Sequence, residues 1–315
     1  MNRFENIKKL ITKTPLVNIT YKYNNNINHV YAKCEWFSLT GSIKDKTAYQ
    51  ILLDAYNSHL LKQGMPIVEV SSGNMGISLS ALGNILGNPV TIIMPKHMSE
   101  ERKKLIKLYG ATLIETEDFP SAFALANEFE KRGYFYPRQF ENNSNKYVHS
   151  TITASEILEQ TRHFPIDNFV SGIGTSGTFS GIGETLKKER NLNIIAIEPT
   201  NARIITSLPP YKKHKLQGLS DEILPKLYNK SICDKVIQVS DDDAIAMARK
   251  LCQKFSLGVG ISSGANIIGC ILCGGNSITI FPDDNKKYLS TDLTENIETP
   301  FVKSIELINF EVISQ

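Results

Sequence analysis

The chain is short of several things that would each point to a definite class of protein. Of its 315 residues only five are cysteine (Cys34, Cys233, Cys252, Cys270 and Cys273), an odd and irregularly spaced set. That pattern argues against a disulfide framework and for free thiols in a reducing compartment. Cys270 and Cys273 do spell CxxC, but on an apolar, helical stretch (ANIIGCILC) with no second pair nearby, so they read as small helix residues. The six histidines (29, 59, 97, 149, 163 and 214) are dispersed and make no metal-ligand spacing. The net charge is only +3 and the basic residues form no stripe, which sets nucleic acid aside as a partner. No apolar run is long enough to cross a bilayer. The N-terminal MNRFENIKKL carries charges inside its apolar stretch, unlike a signal peptide. A cytoplasmic enzyme that acts on small molecules is the expectation.

What is present is a rhythm. Apolar, β-branched runs recur at 29–36, 66–70, 89–95, 111–116, 168–174, 193–199, 235–240 and 277–282. Amphipathic helical patterns such as DKTAYQILLDAYNSHLLKQG and SEERKKLIKLYG separate them, the latter with Ser99 as its expected N-cap. The alternation predicts an α/β fold with mostly parallel sheet, whose ligands bind at the carboxyl ends of the strands. YKYNNNINH at 21–29 reads as a hairpin turn. The polar stretch FENNSNKYVH at 140–149 is the best boundary between two lobes, and the segment from about Ser290 is less periodic.

Four short motifs follow strands or open helices. TGSIKDK (40–46) presents Lys44, an amine able to form a Schiff base with an aldehyde and to act as a base when released. EVSSGNMG (69–76) runs from strand to helix through an asparagine-bearing turn. GIGTSGT (172–178) offers backbone N–H groups, a helix N-terminus and the hydroxyls of Thr175, Ser176 and Thr178 to a phosphate monoester. GISSGAN (260–266) doubles a serine at a helix start. The third motif also satisfies the dinucleotide pattern GxGxxG, with Glu198 ending a strand about 20 residues later, so a nicotinamide oxidoreductase is a competing reading. Its hydroxyl richness, its late position and the Lys44 turn weigh against that class. A non-catalytic relative is a third class, opposed by the intact lysine, asparagine and phosphate loop.

Together with TPLV (14–17), RQF (138–140), IEP (197–199), QGL (217–219) and KYLST (287–291), these motifs appear in the order of a known family. The chain resembles the cysteine synthase (O-acetylserine sulfhydrylase) and cystathionine β-synthase family of pyridoxal-phosphate enzymes, of the tryptophan-synthase-β-like fold type. The resemblance runs from about residue 5 to 293. It implies two three-layer αβα lobes with the cofactor, pyridoxal 5'-phosphate, in the cleft between them: a smaller mobile lobe at 37–146 and a larger cofactor-binding lobe at 1–36 plus 147–315. It further implies that Lys44 holds the cofactor as an internal aldimine and moves the α-proton. Gly174, Thr175, Ser176, Gly177 and Thr178 would bind the phosphate, Asn74 the ring hydroxyl, and Ser262 the pyridine nitrogen, with Ser263 the alternative. Ser71, Ser72, Met75, Gln139 and Gly218 would bind the substrate. The implied reaction is β-replacement on an amino acid through an α-aminoacrylate intermediate, most simply cysteine synthase. A homodimer without a separate regulatory domain is implied as well.

The sequence departs from the family pattern in three places. Met75 stands where a threonine is usual; either the carboxylate grip changes or Ser71 compensates. GLSDEILP (218–225) replaces a glycine-alanine-glycine run. Asp221 could there activate water or bind a second amino acid's amine, which suits a cysteine-consuming enzyme that releases hydrogen sulfide and forms serine or lanthionine; the bland reading is a solvent-facing acidic pair with Glu222. FPDDNKKY (281–288) replaces a serine-glycine version; Asp283 and Asp284 either line the ring-nitrogen side of the cofactor or cap a loop, and the loop is the expectation.

Overall fold

A computed structural model describes residues 3–207, 213–220 and 223–313. The strands are β1 (Leu16–Tyr23), β2 (Asn26–Cys34), β3 (Ile67–Val70), β4 (Val90–Pro95), β5 (Thr112–Thr116), β6 (Asn168–Gly172), β7 (Asn193–Pro199), β8 (Lys235–Val239), β9 (Ser277–Phe281) and β10 (Glu306–Ile313). The helices that concern the site are α1 (Arg3–Lys8), α2 (Lys44–Asn57), α3 (Asn74–Leu86), α4 (Glu100–Leu108), α5 (Phe119–Lys131), α6 (Asn143–Val148), α7 (Ala154–Gln160), α8 (Gly177–Glu189), α9 (Asp241–Phe255) and α10 (Ile261–Cys273).

The fold is mixed α/β with mostly parallel sheet. A seven-stranded sheet has the order β10-β1-β2-β9-β6-β7-β8, and a three-stranded sheet the order β3-β4-β5. From β2 through β8 the large sheet is parallel, and β3-β4-β5 is parallel throughout. Strands β3, β4, β6, β7 and β9 are buried along most of their length and read as apolar runs, whereas β5 and β8, at sheet edges, are partly exposed. Side chains of α9 and α10 form one apolar layer against the large sheet, and those of α7 and α8 the other. The small sheet has its own core with α2, α3 and α5. Ile7 of α1 packs into that core, although the sequence grouped residues 1–36 with the other lobe.

β1 and β2 are joined by a two-residue turn in which Asn24 and Asn25 both have positive φ (47° and 65°). Asparagine tolerates that region, so the expected hairpin forms. Other expectations need correction. Ser99 precedes α4 but its hydroxyl donates to the Lys287 carbonyl at 2.7 Å instead of capping the helix. Residues 143–148, read as part of a polar boundary, are helical, with the Asn142 side chain accepting from Ser144 N at 2.9 Å. The late segment adds an edge strand, β10, antiparallel to β1. Its burial alternates poorly, and among its residues only Leu307 is buried, so the strand period is faint in sequence.

Candidate active site

The carboxyl-end loops of both sheets line a single cavity. TGSIKDK contains two lysines, and the fold gives them opposite surroundings. Gly41 turns the chain at φ 79°. The buried Asp45 carboxylate reaches back to accept from Thr40 N (2.8 Å) and Thr40 Oγ1 (2.6 Å), and across to Ser78 Oγ (2.7 Å). Ile43 N donates to Pro282 O at 2.9 Å, fixing the turn to the end of β9. Lys44 then opens α2 with its side chain in the cavity wall. Lys46 is instead buried between Glu35 (3.0 Å) and Glu156 (2.9 Å), and Lys33 joins Glu156 at 2.8 Å. Burial opposes the Lys46 charge, but the two carboxylates raise its pKa. Lys46 is thereby committed to structure. Behind α2, His149 hydrogen-bonds Thr47 and Thr153 at 3.0 Å each; burial, then the Lys44 and Lys46 charges, hold its pKa well below the usual histidine range. It is neutral at physiological pH.

The glycine-hydroxyl turn follows β6 and feeds α8. Ser176 has φ 66°, a conformation that turns the chain tightly onto the helix N-terminus. A Cβ on Gly174 would lie 2.3 Å from the Gly218 carbonyl oxygen, and one on Gly177 would lie 2.1 Å from Asn145 Oδ1. Both glycines are therefore required by close approach. Gly174, Thr175, Ser176 and Thr178 line the cavity, and Gly177 does not; it packs against Asn145, which also donates to Thr175 Oγ1 at 3.0 Å. Glu198, the acid a dinucleotide site would use, is fully buried and accepts from Thr206 Oγ1 and from Ile205 N at 2.9 Å. It is engaged with its own loop, which removes the main support for a nicotinamide.

Across the cavity, β3 ends in Ser71-Ser72-Gly73-Asn74. Ser71 Oγ accepts from Gly73 N and Gly76 N, both at 3.0 Å, and so shapes the start of α3. Gln139 Nε2 donates to Val70 O at 2.7 Å, and Gln139 N to Glu69 Oε2 at 3.2 Å. Glu69 is wholly buried and its pKa is pushed up to about 8 by desolvation. Ser71, Ser72, Asn74, Met75, Gln139 and Gly218 all line the cavity, Met75 also belonging to the small sheet's core. Of the doubled serine, Ser262 lines the cavity, while Ser263 is fully buried with no partner for its hydroxyl. Asp221 and Glu222 lie outside the described residues.

Sequence reasoning missed a buried polar group beside Asn74. Asp283, expected to cap a loop, has no exposed surface; its Oδ2 accepts from Asn74 Nδ2 and Tyr288 OH at 2.8 Å each. Arg102 Nη2 is 3.5 Å from the same oxygen. The signal available was position: FPDD follows a strand at its carboxyl end, where this fold class puts its ligands.

The cradle suits one kind of group. A phosphate fits a turn closed by two obligatory glycines at a helix N-terminus, and Lys44, Asn74 and Ser262 share the same cavity. Residues 7–278 match the family model described as pyridoxal-phosphate dependent enzyme. Cysteine synthase of Staphylococcus aureus is 39% identical over 300 residues, 92% of this chain and 96% of that protein. The structure of a hydrogen sulfide-producing enzyme from Fusobacterium nucleatum matches with a TM-score of 0.92 at 40% identity, covering 98% of each chain. A structure of an aspartate-to-asparagine variant of a hydrogen sulfide-producing enzyme, in complex with an α-aminoacrylate intermediate, matches with a TM-score of 0.94 at 39% identity over 99% of each chain. Family model, relatives and cavity agree: the chain belongs to the pyridoxal-phosphate-dependent enzymes.

Proposed function

We propose that this enzyme catalyses β-replacement on an amino acid with a leaving group on its β-carbon, most simply the cysteine synthase reaction of O-acetylserine with sulfide. The observation that carries the reading is the convergence of Lys44, the hydroxyl-rich turn, Asn74 and the Ser71, Ser72 and Gln139 groups on one cavity. Bound pyridoxal phosphate supplies an electrophilic carbonyl and an electron sink for the α-carbon. Gly174, Thr175, Ser176 and Thr178 would hold its phosphate with backbone N–H groups and hydroxyls, and Gly177 lets the turn close against Asn145. Asn74 would hydrogen-bond the ring hydroxyl, and Ser262 would meet the ring nitrogen with a hydroxyl rather than a carboxylate. Lys44 would hold the cofactor through its amine and would serve as the base that takes the substrate α-proton and returns it. Ser71, Ser72 and Gln139 would orient the substrate carboxylate, and Gly218 adds to the substrate wall. Met75 adds apolar wall where it brings no hydroxyl.

A second reading, a cysteine-consuming enzyme that releases hydrogen sulfide, is favoured by the acidic GLSDEILP segment. In it Asp221 activates the incoming water or binds the amino group of a second amino acid. The similarity to hydrogen sulfide-producing enzymes, one of them solved as an aspartate-to-asparagine variant, supports this reading. We place residues 37–146 in a unit that moves over the cleft, and a homodimer in the cytoplasm is the working form. Turnover of O-acetyl-L-serine with sulfide, set against sulfide release from L-cysteine alone, separates the readings. Asp221→Asn abolishes only the second. Absence of both activities in cofactor-loaded protein contradicts the proposal.

A further inference from the structure

Among the described residues two cationic side chains line the cavity, Lys44 and Arg102. Arg102 is 1% exposed, and an arginine in such a place is the usual anchor for a phosphate ester, because its planar fork pairs two oxygens at once. Here the fork is already occupied. Nη1 donates to Gln217 Oε1 at 2.5 Å and reaches Ser72 O at 3.3 Å, and Nη2 lies 3.5 Å from Asp283 Oδ2. The guanidinium carbon stacks 4.5 Å from the centroid of the Tyr288 ring. Only Nε is left without a partner, and it faces the backbone at Gly73, where a Cβ would sit 2.8 Å away.

Asp283 is the group that holds this arrangement. Three groups from three segments converge on its Oδ2: Asn74 at the start of α3 and the Tyr288 hydroxyl donate hydrogen bonds, and Arg102 in the first turn of α4 pairs with it ionically. Two of the three are neutral, so the carboxylate's charge is left to balance that of Arg102. The nearby cation Lys287 donates to Gly41 O at 2.5 Å and is faced by Asp284 and Asp45 as well as Asp283, so this wall of the cavity carries no surplus positive charge.

We infer that Asp283 determines substrate charge: by clamping and neutralising Arg102 it makes the site select amino acids with an uncharged β-substituent, such as an acetyl ester or a thiol, over those with a β-phosphate. The inference rests on the β-replacement reading and narrows it. A dianion brought to the cavity meets an arginine whose charge is balanced by Asp283 and whose Nη1 is held by Gln217 and Ser72. Its desolvation has no compensating partner there.

The test has a part that involves no turnover. Borohydride fixes pyridoxal phosphate to Lys44, so that added inorganic phosphate cannot displace the cofactor, and phosphate binding is then titrated calorimetrically. Asp283→Asn, an isosteric change that frees the Arg102 charge, is expected to tighten phosphate binding about tenfold or more, as a charge a few ångströms away does at an effective protein dielectric. Arg102→Gln alone is expected to leave the already weak binding unchanged, and the double variant to cancel the gain. In the unmodified holoenzyme, kcat/KM is expected to favour O-acetyl-L-serine over O-phospho-L-serine, with Asp283→Asn moving the ratio toward the phosphate ester by the same factor. Weaker phosphate binding in Arg102→Gln would make Arg102 a phosphate anchor and overturn the inference, as would wild-type preference for the phosphate ester. Protein that takes up the cofactor but turns over no β-substituted amino acid would sink the β-replacement reading instead.

Discussion

Replacing Gly174 with alanine tests the cofactor cradle through a contact that leaves little freedom. The added Cβ would sit 2.3 Å from the carbonyl oxygen of Gly218, where ordinary contacts begin at 3.4 Å. The obstacle is backbone, so no rotamer change relieves it, and the 172–178 turn and the 217–219 loop must part by roughly 1 Å. Overpacking of this kind costs about 1–3 kcal/mol. Because both loops line the cavity, that cost falls on the phosphate site and weakens cofactor binding by roughly ten- to a hundredfold. The assay is titration of apoenzyme with pyridoxal phosphate, followed by the visible absorption of the bound cofactor. Gly110→Ala is the control: Gly110 has φ 84° but nothing within 4 Å, so the change strains the backbone without touching the cavity. It lowers the Tm and leaves cofactor affinity intact. If Gly174→Ala binds the cofactor as tightly as wild type, the turn is not the phosphate cradle and the reasoning fails.

Other substitutions probe the remaining parts. Asp45→Ala strands three donors around the Lys44 turn and is expected to destabilise by about 2–5 kcal/mol in a urea titration, with kcat falling as Lys44 loses its support. Ser262→Ala should shift the absorption of the bound cofactor, whereas Ser263→Ala, at a buried hydroxyl without a partner, should change only stability; the reverse pattern would exchange their roles. Glu69 makes stability depend on pH. Its folded pKa is raised from 4.5 to about 8, so between these values the native state holds a proton that the unfolded state has lost. Stability therefore falls as pH rises through that window and levels off above it. Glu69→Gln should flatten the slope, measured as urea midpoints from pH 5 to about 9.

The parts of this molecule that were legible in its sequence are those with a local signature. Buried parallel strands such as β3, β4, β6, β7 and β9 read as apolar runs, and the asparagine turn at 24–25 announced its hairpin. Loops at strand ends carried Lys44, Asn74, the glycine-hydroxyl turn and Ser262 in order, and the fold brings them to one cavity. What escaped was long-range pairing. Nothing near Asp283 in sequence says that a carboxylate will be buried against Arg102 and Asn74, 181 and 209 residues away. Ser99 looked like a cap because its position was right, yet its hydroxyl met a carbonyl from residue 287 first. β10 pairs with β1 at the far end of the chain, and its half-exposed residues lack a strand's alternation. The pairing of Lys46 with Glu35 and Glu156 is likewise assembled only by the fold.

The most direct test of the central claim is the visible spectrum of the purified, cofactor-loaded protein before and after adding O-acetyl-L-serine and, separately, L-cysteine, alongside Lys44→Ala. The account predicts a yellow protein whose band moves on adding a β-substituted amino acid, with sulfide released if L-cysteine is the one consumed. Lys44→Ala should lose the lysine-linked band and the response. A protein that takes up no pyridoxal phosphate, or a Lys44→Ala variant that keeps the wild-type band and response, would contradict it.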